Sequence, residues 1–455
     1  MFLLSASIIA AAIICLSLSA CDSILNTRAA ADDTAPNLLP TPHPQAATPS
    51  PSFTPSPSPT FTPSPSPTFT PSPTPVFTKD DLNMLDSRLS LLIGRYKIEL
   101  ARSLLDESLS KGISDTDFNL LKSKIDAYED YQTNLVPYNG EIEHLFTHCL
   151  IAFPEICYSG NKMSASLDID CITPYEFKRI LQSLYEKDYI LIDANIIFME
   201  TEANTVQLTE LFLPEGKKPL IFSIDDVVYD ARKAHTGMVD KLIVDNQDCI
   251  ATYTRHPDGT EIISYDNEIF PILDSFVTEH PEFSFRGAKG TLALTGFQGI
   301  LGYRTQSDAP EDKDRARELE DVAKVVSVLK DSGWNFGSHS YGHGHMNTKM
   351  SLNSVQNDTD QWHSEVKPLI GETQLFFYPY GETVRQSDPK YDVLYDAGFR
   401  IFFGVGWKAS YMEVLSGGRG ILQNRRNLDG YTLRNGRDAL LQFFDADEVI
   451  DPIRH

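Results

Sequence analysis

Apolar residues at three- and four-residue steps mark the first helical part of the chain. They recur after Thr78, a residue type that caps helix N-termini, at Leu82, Leu85, Leu89, Leu92 and Tyr96. Gly112 interrupts this pattern, and a second amphipathic stretch that starts at Ser114 carries Phe118, Leu121, Ile125 and Tyr128. We therefore expect a small helical hairpin over residues 79–135.

From residue 141 onward, short apolar runs alternate with amphipathic stretches of helical period. The runs typical of strands include IEHLFTHCLI, KKPLIFSIDD, TLALTG, WNFGSHS, TQLFFYPYG and RIFFGVG. Strands that alternate with helices predict a parallel sheet, and some 315 residues suit a (β/α) barrel of the α/β class over residues 141–455. In such barrels the active residues lie where strands end, so the strand ends are the places to examine.

The N-terminal pattern is different, since residues 2–20 are apolar or small throughout. An apolar run closed by small residues predicts a secretory signal peptide over residues 1–20. Its ending, Leu18-Ser19-Ala20-Cys21, resembles a bacterial lipobox, which implies cleavage before Cys21 and attachment of lipid to that cysteine. A plain cleaved signal and an uncleaved anchor are the alternatives. All three readings export the protein, and the lipobox predicts a location on the outer face of a bacterial membrane.

Residues 22–78 are rich in proline, serine and threonine and contain an eight-residue repeat. Its phenylalanines are Phe53, Phe61, Phe69 and Phe77. So much proline prevents helix formation and favours disorder or extended polyproline II, so we expect a spacer between the membrane and the folded part.

Charge and cysteine content narrow the function classes. The net charge of −24 and the absence of a basic run argue against a nucleic-acid partner. No C-x-x-C spacing occurs, so a thiolate zinc site is not expected. An exported chain permits disulfides, and a Cys157–Cys171 bond would close a loop rich in serine and aspartate.

Three predicted strand ends carry candidate chemistry. The first ends in Asp225-Asp226, the second contains His339-x-x-x-His343, and the third ends in Tyr378-Pro379-Tyr380-Gly381. Two neutral imidazoles and one carboxylate would leave a zinc-like ion with open positions, as a catalytic metal site requires. Histidines four residues apart can converge on one ion from a single turn.

These motifs, in this order, resemble those of the polysaccharide deacetylases (carbohydrate esterase family four, the NodB homology domain), over residues 141–455. The resemblance implies a distorted (β/α) barrel that removes N-acetyl groups from amino sugars with one divalent metal ion. Zinc is the expected ion, with cobalt and nickel open alternatives. The metal ligands implied are Asp226, His339 and His343. The other roles implied are Asp225 as general base, the backbone N–H of Tyr380 as oxyanion donor, and Tyr378, Pro379 and Trp407 as substrate contacts.

The chain departs from this family pattern at two places. Many members have an arginine in the third motif, where this chain has Tyr378, and Arg425 or Arg426 could replace it. The C-terminal Leu-x-His motif that supplies the general acid is also missing. A circularly permuted branch, which includes exported poly-N-acetylglucosamine deacetylases, places the acid histidine before the aspartate pair. By that resemblance His148 is the candidate acid, the alternative being a core histidine.

The sequence thus predicts a lipid-anchored, metal-dependent deacetylase of a polysaccharide that contains N-acetylglucosamine. His345, the third histidine of the GSHSYGHGH stretch, is expected to be a loop residue, although it could replace His343 as a ligand. A non-catalytic glycan-binding lipoprotein on the same scaffold is the alternative function. A solute-binding lipoprotein of a transporter would leave the aspartates and histidines unexplained.

Overall fold

The computed structural model describes residues 77–310, 314–406, 408 and 410–454. The predicted signal peptide, Cys21, residues 22–76 of the linker and Trp407 lie outside the described residues. In the part of the chain that is described, no helix has both the length and the apolar character that crossing a bilayer requires.

Three helices, rather than the expected hairpin of two, form the first part of the structure: α1 (Lys79–Gly94), α2 (Ile98–Ser110) and α3 (Asp115–Thr133). Thr78 caps α1 as expected. The extra break follows Gly94, where Tyr96 adopts a left-handed backbone conformation with φ 53°. A Cβ on Gly94 would lie 3.2 Å from the Cα of Thr278, so α1 ends against a distant helix. A local apolar pattern does not contain that contact.

The remaining elements alternate strands and helices along the chain. Among the described residues the strands are β1 (Leu135–Tyr138), β2 (Glu143–His148), β3 (Tyr189–Leu191), β4 (Phe198–Glu200), β5 (Val206–Leu208), β6 (Leu211–Pro214), β7 (Lys218–Asp225), β8 (Lys241–Val244), β9 (Ile250–Arg255), β10 (Glu261–Ser264), β11 (Thr291–Leu294), β12 (Asn335–Ser338), β13 (Leu375–Phe377), β14 (Ile401–Val405), β15 (Met412–Val414) and β16 (Ile421–Asn427). The helices are α4 (Pro154–Cys157), α5 (Ser164–Asp170), α6 (Pro174–Glu186), α7 (Ile269–Glu279), α8 (Arg315–Asp331), α9 (Leu352–Glu365), α10 (Lys367–Ile370), α11 (Pro389–Asp396), α12 (Gly430–Asn435), α13 (Arg437–Leu440) and α14 (Ala446–Val449).

Seven of the described strands close a parallel barrel, which confirms the predicted fold class. Their order around the barrel is β2, β7, β11, β12, β13, β14 and β16, and β16 pairs with β2 to complete the ring. The barrel is distorted, because β14 and β16 are joined through the antiparallel strand β15 instead of a helix. All seven carboxyl ends therefore meet at one edge, where the three sequence motifs lie.

Strand alternation divides the apolar residues into an inner and an outer core. Ile221, Ala293, Phe377 and Phe403 belong to the inner core of the barrel, whereas Phe222 belongs to the larger outer core beneath the helices. The inner face of the ring is not wholly apolar, because several polar side chains from β2, β7 and β16 are also buried there. The four cysteines of the described residues are unpaired, including Cys157 and Cys171.

Candidate active site

The three motifs meet at the carboxyl edge of the barrel. Asp225 is the last residue of β7 and Asp226 follows it, while His339 follows the last residue of β12. Pro379 begins a short 3₁₀ turn (Pro379–Gly381) two residues after the end of β13. Because parallel strands bring their carboxyl ends to one edge, residues more than a hundred positions apart share one site.

Asp226, His339 and His343 form a cluster that fits a metal ion. One ligand atom from each residue lies within 4.8 Å of the other two, and Asp226 Oδ1 is 3.6 Å from His343 Nε2 and 3.9 Å from His339 Nε2. Asp226 Oδ1 is buried and has no hydrogen-bond partner among the described residues. A buried carboxylate oxygen without a partner is costly, and a cation between it and the two imidazoles would satisfy it.

Hydrogen bonding fixes the orientation of the first histidine. His339 Nδ1 donates to the backbone carbonyl of Phe377 at 2.9 Å, which leaves Nε2 as the free lone pair facing the aspartates. Such a second contact sets the tautomer and ring orientation of metal-binding histidines. His339 is fully buried, so bulk water does not compete for this hydrogen bond.

Electrostatics keeps the cluster in the protonation state that a metal requires. Burial, outweighing the opposing charge of Asp226, lowers the pKa of His343 to about 4, so its imidazole is neutral at pH 7. Burial alone would raise the pKa of Asp226, but His343 and His339 hold that pKa well below its usual range. Neutral imidazole and ionised carboxylate are the ligand forms.

The loop that carries the histidines is held in a strained conformation by a carboxylate from α9. Ser340 and His343 both have left-handed backbones, with φ 59° and 53°, which cost free energy in residues other than glycine. Asp358 accepts from the backbone N–H groups of Tyr341 and Gly342, each at 2.8 Å, and the Ser340 hydroxyl accepts from His343 N–H at 2.9 Å. These contacts hold both histidines toward one point.

The second aspartate, Asp225, is held by an arginine from β16. Arg425 donates from Nη1 to Oδ1 at 2.7 Å and from Nη2 to Oδ2 at 3.0 Å, a bidentate geometry, and both side chains are buried. Burial alone would raise the pKa of Asp225, but Arg425 and His339 lower it. Asp225 Oδ2 also lies 3.7 Å from His339 Nε2. An ionised carboxylate therefore stands beside the metal-ligand cluster.

Of the two arginines considered from the sequence, the structure brings Arg425 to Asp225. Arg426 is the next residue of the strand and therefore turns to the opposite face. Burial lowers the pKa of Arg426, and the neighbouring charge of Glu143 opposes this shift. The ring of Tyr378, proposed from the sequence as a substrate contact, also points away from the site. It packs in the outer core between Phe376 and Phe402, because alternation along β13 turns Phe377 inward instead. An arginine at position 378 would therefore not reach Asp225.

Tyr380 and His345 stack at the rim of the cluster. Tyr380, with φ 59°, makes an edge contact with the His343 ring at 4.5 Å and lies flat against the His345 ring at 3.7 Å. His345 Nδ1 lies 3.0 Å from Glu382 Oε1, so the third histidine is paired behind Tyr380 instead of with Asp226. Glu382 was not singled out in the sequence, since nothing local distinguishes it.

His148 ends β2 beside Asp225. It is in register with Asp225 on the neighbouring strand, and its Nδ1 donates to the backbone carbonyl of Asp170 at 3.0 Å. This pairing places His148 next to the aspartate pair at the carboxyl edge of the barrel. The other ring nitrogen, Nε2, takes no part in this hydrogen bond.

Known proteins give a further comparison. No protein-family model matches the chain, and no curated protein matches it. Solved structures to which it is similar include the Streptococcus pyogenes deacetylase PplD in complex with acetate, a de-N-acetylase from Aggregatibacter actinomycetemcomitans, and IcaB from Ammonifex degensii. Their sequence identities are 13%, 14% and 11%, and their TM-scores are 0.36, 0.37 and 0.36. The matches cover 68%, 68% and 69% of this chain and 100%, 100% and 98% of theirs. The barrel fold of the chain is similar to that of these solved structures.

In this barrel, the residue that the sequence left undecided is Arg425. No local signal distinguished it, because residues 423–427 of its strand are all polar and alternation does not show which of them face inward. Asp358 gave no signal either, since a polar residue on an amphipathic helix is ordinary.

Proposed function

We propose that the protein hydrolyses N-acetyl groups of a glycan that contains N-acetylglucosamine, with one divalent metal ion bound by Asp226, His339 and His343. The observation that carries the proposal is the ionised, arginine-held carboxylate of Asp225, placed 3.7 Å from a nitrogen of this ligand cluster. A glycan-binding protein needs no second buried carboxylate there, because an unused buried charge costs free energy.

In the proposed reaction each residue acts at a defined atom. Asp225 takes a proton from water as the water oxygen bonds to the acetamide carbon. The backbone N–H of Tyr380 donates to the acetamide oxygen, on which negative charge develops. As the C–N bond breaks, His148 donates a proton from Nε2 to the leaving nitrogen, which releases acetate and a free amine. A divalent ion held by the cluster would supply Lewis acidity, which polarises amide carbonyls and acidifies water.

The cellular setting is part of the proposal. The Leu18–Cys21 motif supports export and lipid attachment at Cys21, and the proline-rich repeat supports a spacer that extends from the membrane. We propose that the substrate is a glycan at the cell surface. Two imidazoles and one carboxylate suit zinc, and cobalt and nickel accept the same ligands.

Acetate release tests the proposal directly. The full chain, with and without added zinc, would be incubated with chito-oligosaccharides, peptidoglycan and poly-N-acetylglucosamine. We expect zinc-dependent release from at least one of them, abolished by chelation. Zinc binding without release from any of the three would favour a glycan-binding protein.

Variants separate the roles. Asp226→Ala and His339→Ala should lose zinc binding together with activity. Asp225→Asn should keep zinc and lower kcat by about 100-fold or more, the usual contribution of a general base. His148→Asn should likewise keep zinc and lower kcat. Normal turnover by Asp225→Asn would show that the base is assigned wrongly.

A further inference from the structure

A chain of polar side chains fills the barrel interior below Asp225. It consists of Gln423 on β16, His144 on β2 and Ser223 on β7, and all three are fully buried. Buried polar groups in a barrel core are costly unless every one is hydrogen-bonded. The roles given above to the site residues use none of these three, although the chain ends at Arg425.

The direction of each hydrogen bond between these side chains follows from the first one. Gln423 Nε2 donates to the carbonyl of Ile142 at 3.1 Å, so its Oε1 must accept from His144 Nδ1, which is 3.2 Å away. His144 Nε2 is then an acceptor, and the Ser223 hydroxyl donates to it at 2.9 Å. With its proton committed, the Ser223 oxygen accepts from Arg425 Nη1 at 3.2 Å. Each group has one orientation that satisfies its neighbour.

His144 stays neutral in this chain. Burial and the positive charge of Arg425 both place the pKa of His144 well below its ordinary value. A neutral ring with one donor and one acceptor can transmit a single hydrogen-bond direction, whereas a charged ring would donate at both nitrogens and turn the Ser223 hydroxyl toward Arg425.

Arg425 needs such support because of its position in the barrel. It lies on β16, and β2 separates that strand from β7, which carries Asp225. The guanidinium passes over the ring of Phe146 on β2, at 4.1 Å from its centroid, to reach the carboxylate. A long side chain loses about 2 kcal/mol of rotamer entropy when it is fixed, so contacts that hold it in advance favour the productive geometry.

We propose that Ser223, His144 and Gln423 are positioning residues that fix the guanidinium of Arg425, and through it the carboxylate of Asp225. The inference deepens the proposed function and rests on it for its kinetic effect. The hydrogen bonds themselves do not depend on any activity. The third motif of this protein has no arginine. Arg425 of β16, which is hydrogen-bonded to the buried Ser223, contacts Asp225 instead.

The test is Ser223→Ala, which removes the hydroxyl that links His144 to Arg425 with little change in volume. We expect kcat for acetate release to fall by about 10- to 100-fold, because small displacements of a reacting group have effects of that size. KM and zinc affinity should stay within about 2-fold of wild type, since neither the ligands nor the substrate contacts are altered. Ser223→Thr, which keeps the hydroxyl, should recover most of kcat.

Ser332→Ala is the matched control. Ser332 is also fully buried and its hydroxyl also makes a hydrogen bond, to the Leu329 carbonyl at 3.0 Å, but it lies at the end of α8. This variant should lower stability without changing kcat. Wild-type kcat in Ser223→Ala, or a parallel loss of zinc affinity, would overturn the proposal.

A crystal structure of Ser223→Ala separates this inference from the proposed function. We expect the guanidinium of Arg425 to leave its bidentate contact with Asp225. A guanidinium that keeps both hydrogen bonds would overturn the inference, whatever the activity. Absence of acetate release by the wild-type protein with zinc would instead count against the proposed function, and the position of Arg425 would still decide the inference.

Discussion

We expect a buried carboxyl at the N-terminus of α7 to make the stability of this protein depend on pH. Glu268 caps the helix and is fully buried, and its Oε1 accepts from the backbone N–H groups of Ile269 at 2.8 Å and Leu150 at 3.0 Å. Leu150 lies two residues after His148, so this carboxyl ties the loop beyond β2 to the helix. Burial outweighs these hydrogen bonds and raises the pKa of Glu268 from 4.5 to about 7.

The direction of the effect follows from proton binding. Between pH 4.5 and 7 the unfolded chain has released the Glu268 proton while the folded protein still holds it, so stability falls as pH rises through this range. Stability from this group is complete below pH 4.5 and lost above pH 7. The difference between the two pKa values, at about 1.4 kcal/mol for each unit of pKa, corresponds to about 3 kcal/mol in total. About 2 kcal/mol of this stability should be lost between about pH 5.5 and about pH 8.5.

Glu268→Gln removes the titration and keeps an oxygen to accept both hydrogen bonds. Urea unfolding of the two proteins at about pH 5.5 and about pH 8.5 gives the measurement. The variant should gain about 2 kcal/mol relative to wild type at the higher pH. Glu279→Gln, at the exposed end of the same helix, changes the net charge equally and is the control. A stability difference between Glu268→Gln and wild type that does not change with pH would refute the reasoning.

Three further predictions concern charged side chains. Arg425→Met should lower the free energy of unfolding by about 3–5 kcal/mol, because it leaves Asp225 buried without a partner; urea titration measures this, and a loss below about 1 kcal/mol would contradict it. Asp358→Ala should weaken zinc binding by about 10- to 100-fold by calorimetry, whereas Asp360→Ala, exposed on the same helix, should not. Arg454→Met, which breaks a bidentate pair with a buried glutamate of α6, should cost about 3–5 kcal/mol in the same urea assay, and an unchanged midpoint would count against it.

The sequence was sufficient for the barrel because each strand carries its own signal. The run from Pro219 to Asp225 is apolar enough to be a buried strand and ends in charge, and the run from Leu375 to Phe377 is apolar up to Tyr378. Parallel topology then brings these ends together without further information. The N-terminal helices show the limit, since the break after Gly94 depends on a contact with Thr278 far along the chain.

The candidate site was predictable to the same extent. The candidate metal ligands and the candidate base are named by short motifs, and the structure brings these residues together. The partner of the base could not be chosen, because Arg425 and Arg426 are adjacent and the distinction is which face of β16 turns inward. Which face turns inward depends on the register of β16 with β2, a pairing between residues some 280 positions apart. Tyr378 was proposed as a contact without that information, and alternation along β13 turns it outward.

The two adjacent aspartates show why backbone conformation, in addition to residue type, assigns chemical roles. Asp225 is still in β7, so its side chain follows the inward alternation of Ile221 and Ser223 and meets Arg425 inside the barrel. Asp226 has left the strand with φ 59°, so it does not continue that alternation, and its carboxylate faces His343. Had Asp226 remained extended, strand alternation would have turned it to the outer core. The strained conformation at one residue therefore gives neighbouring carboxylates two different environments. The carboxylate of Asp225 is fixed by an arginine, whereas that of Asp226 has a buried oxygen to which a metal ion can bind.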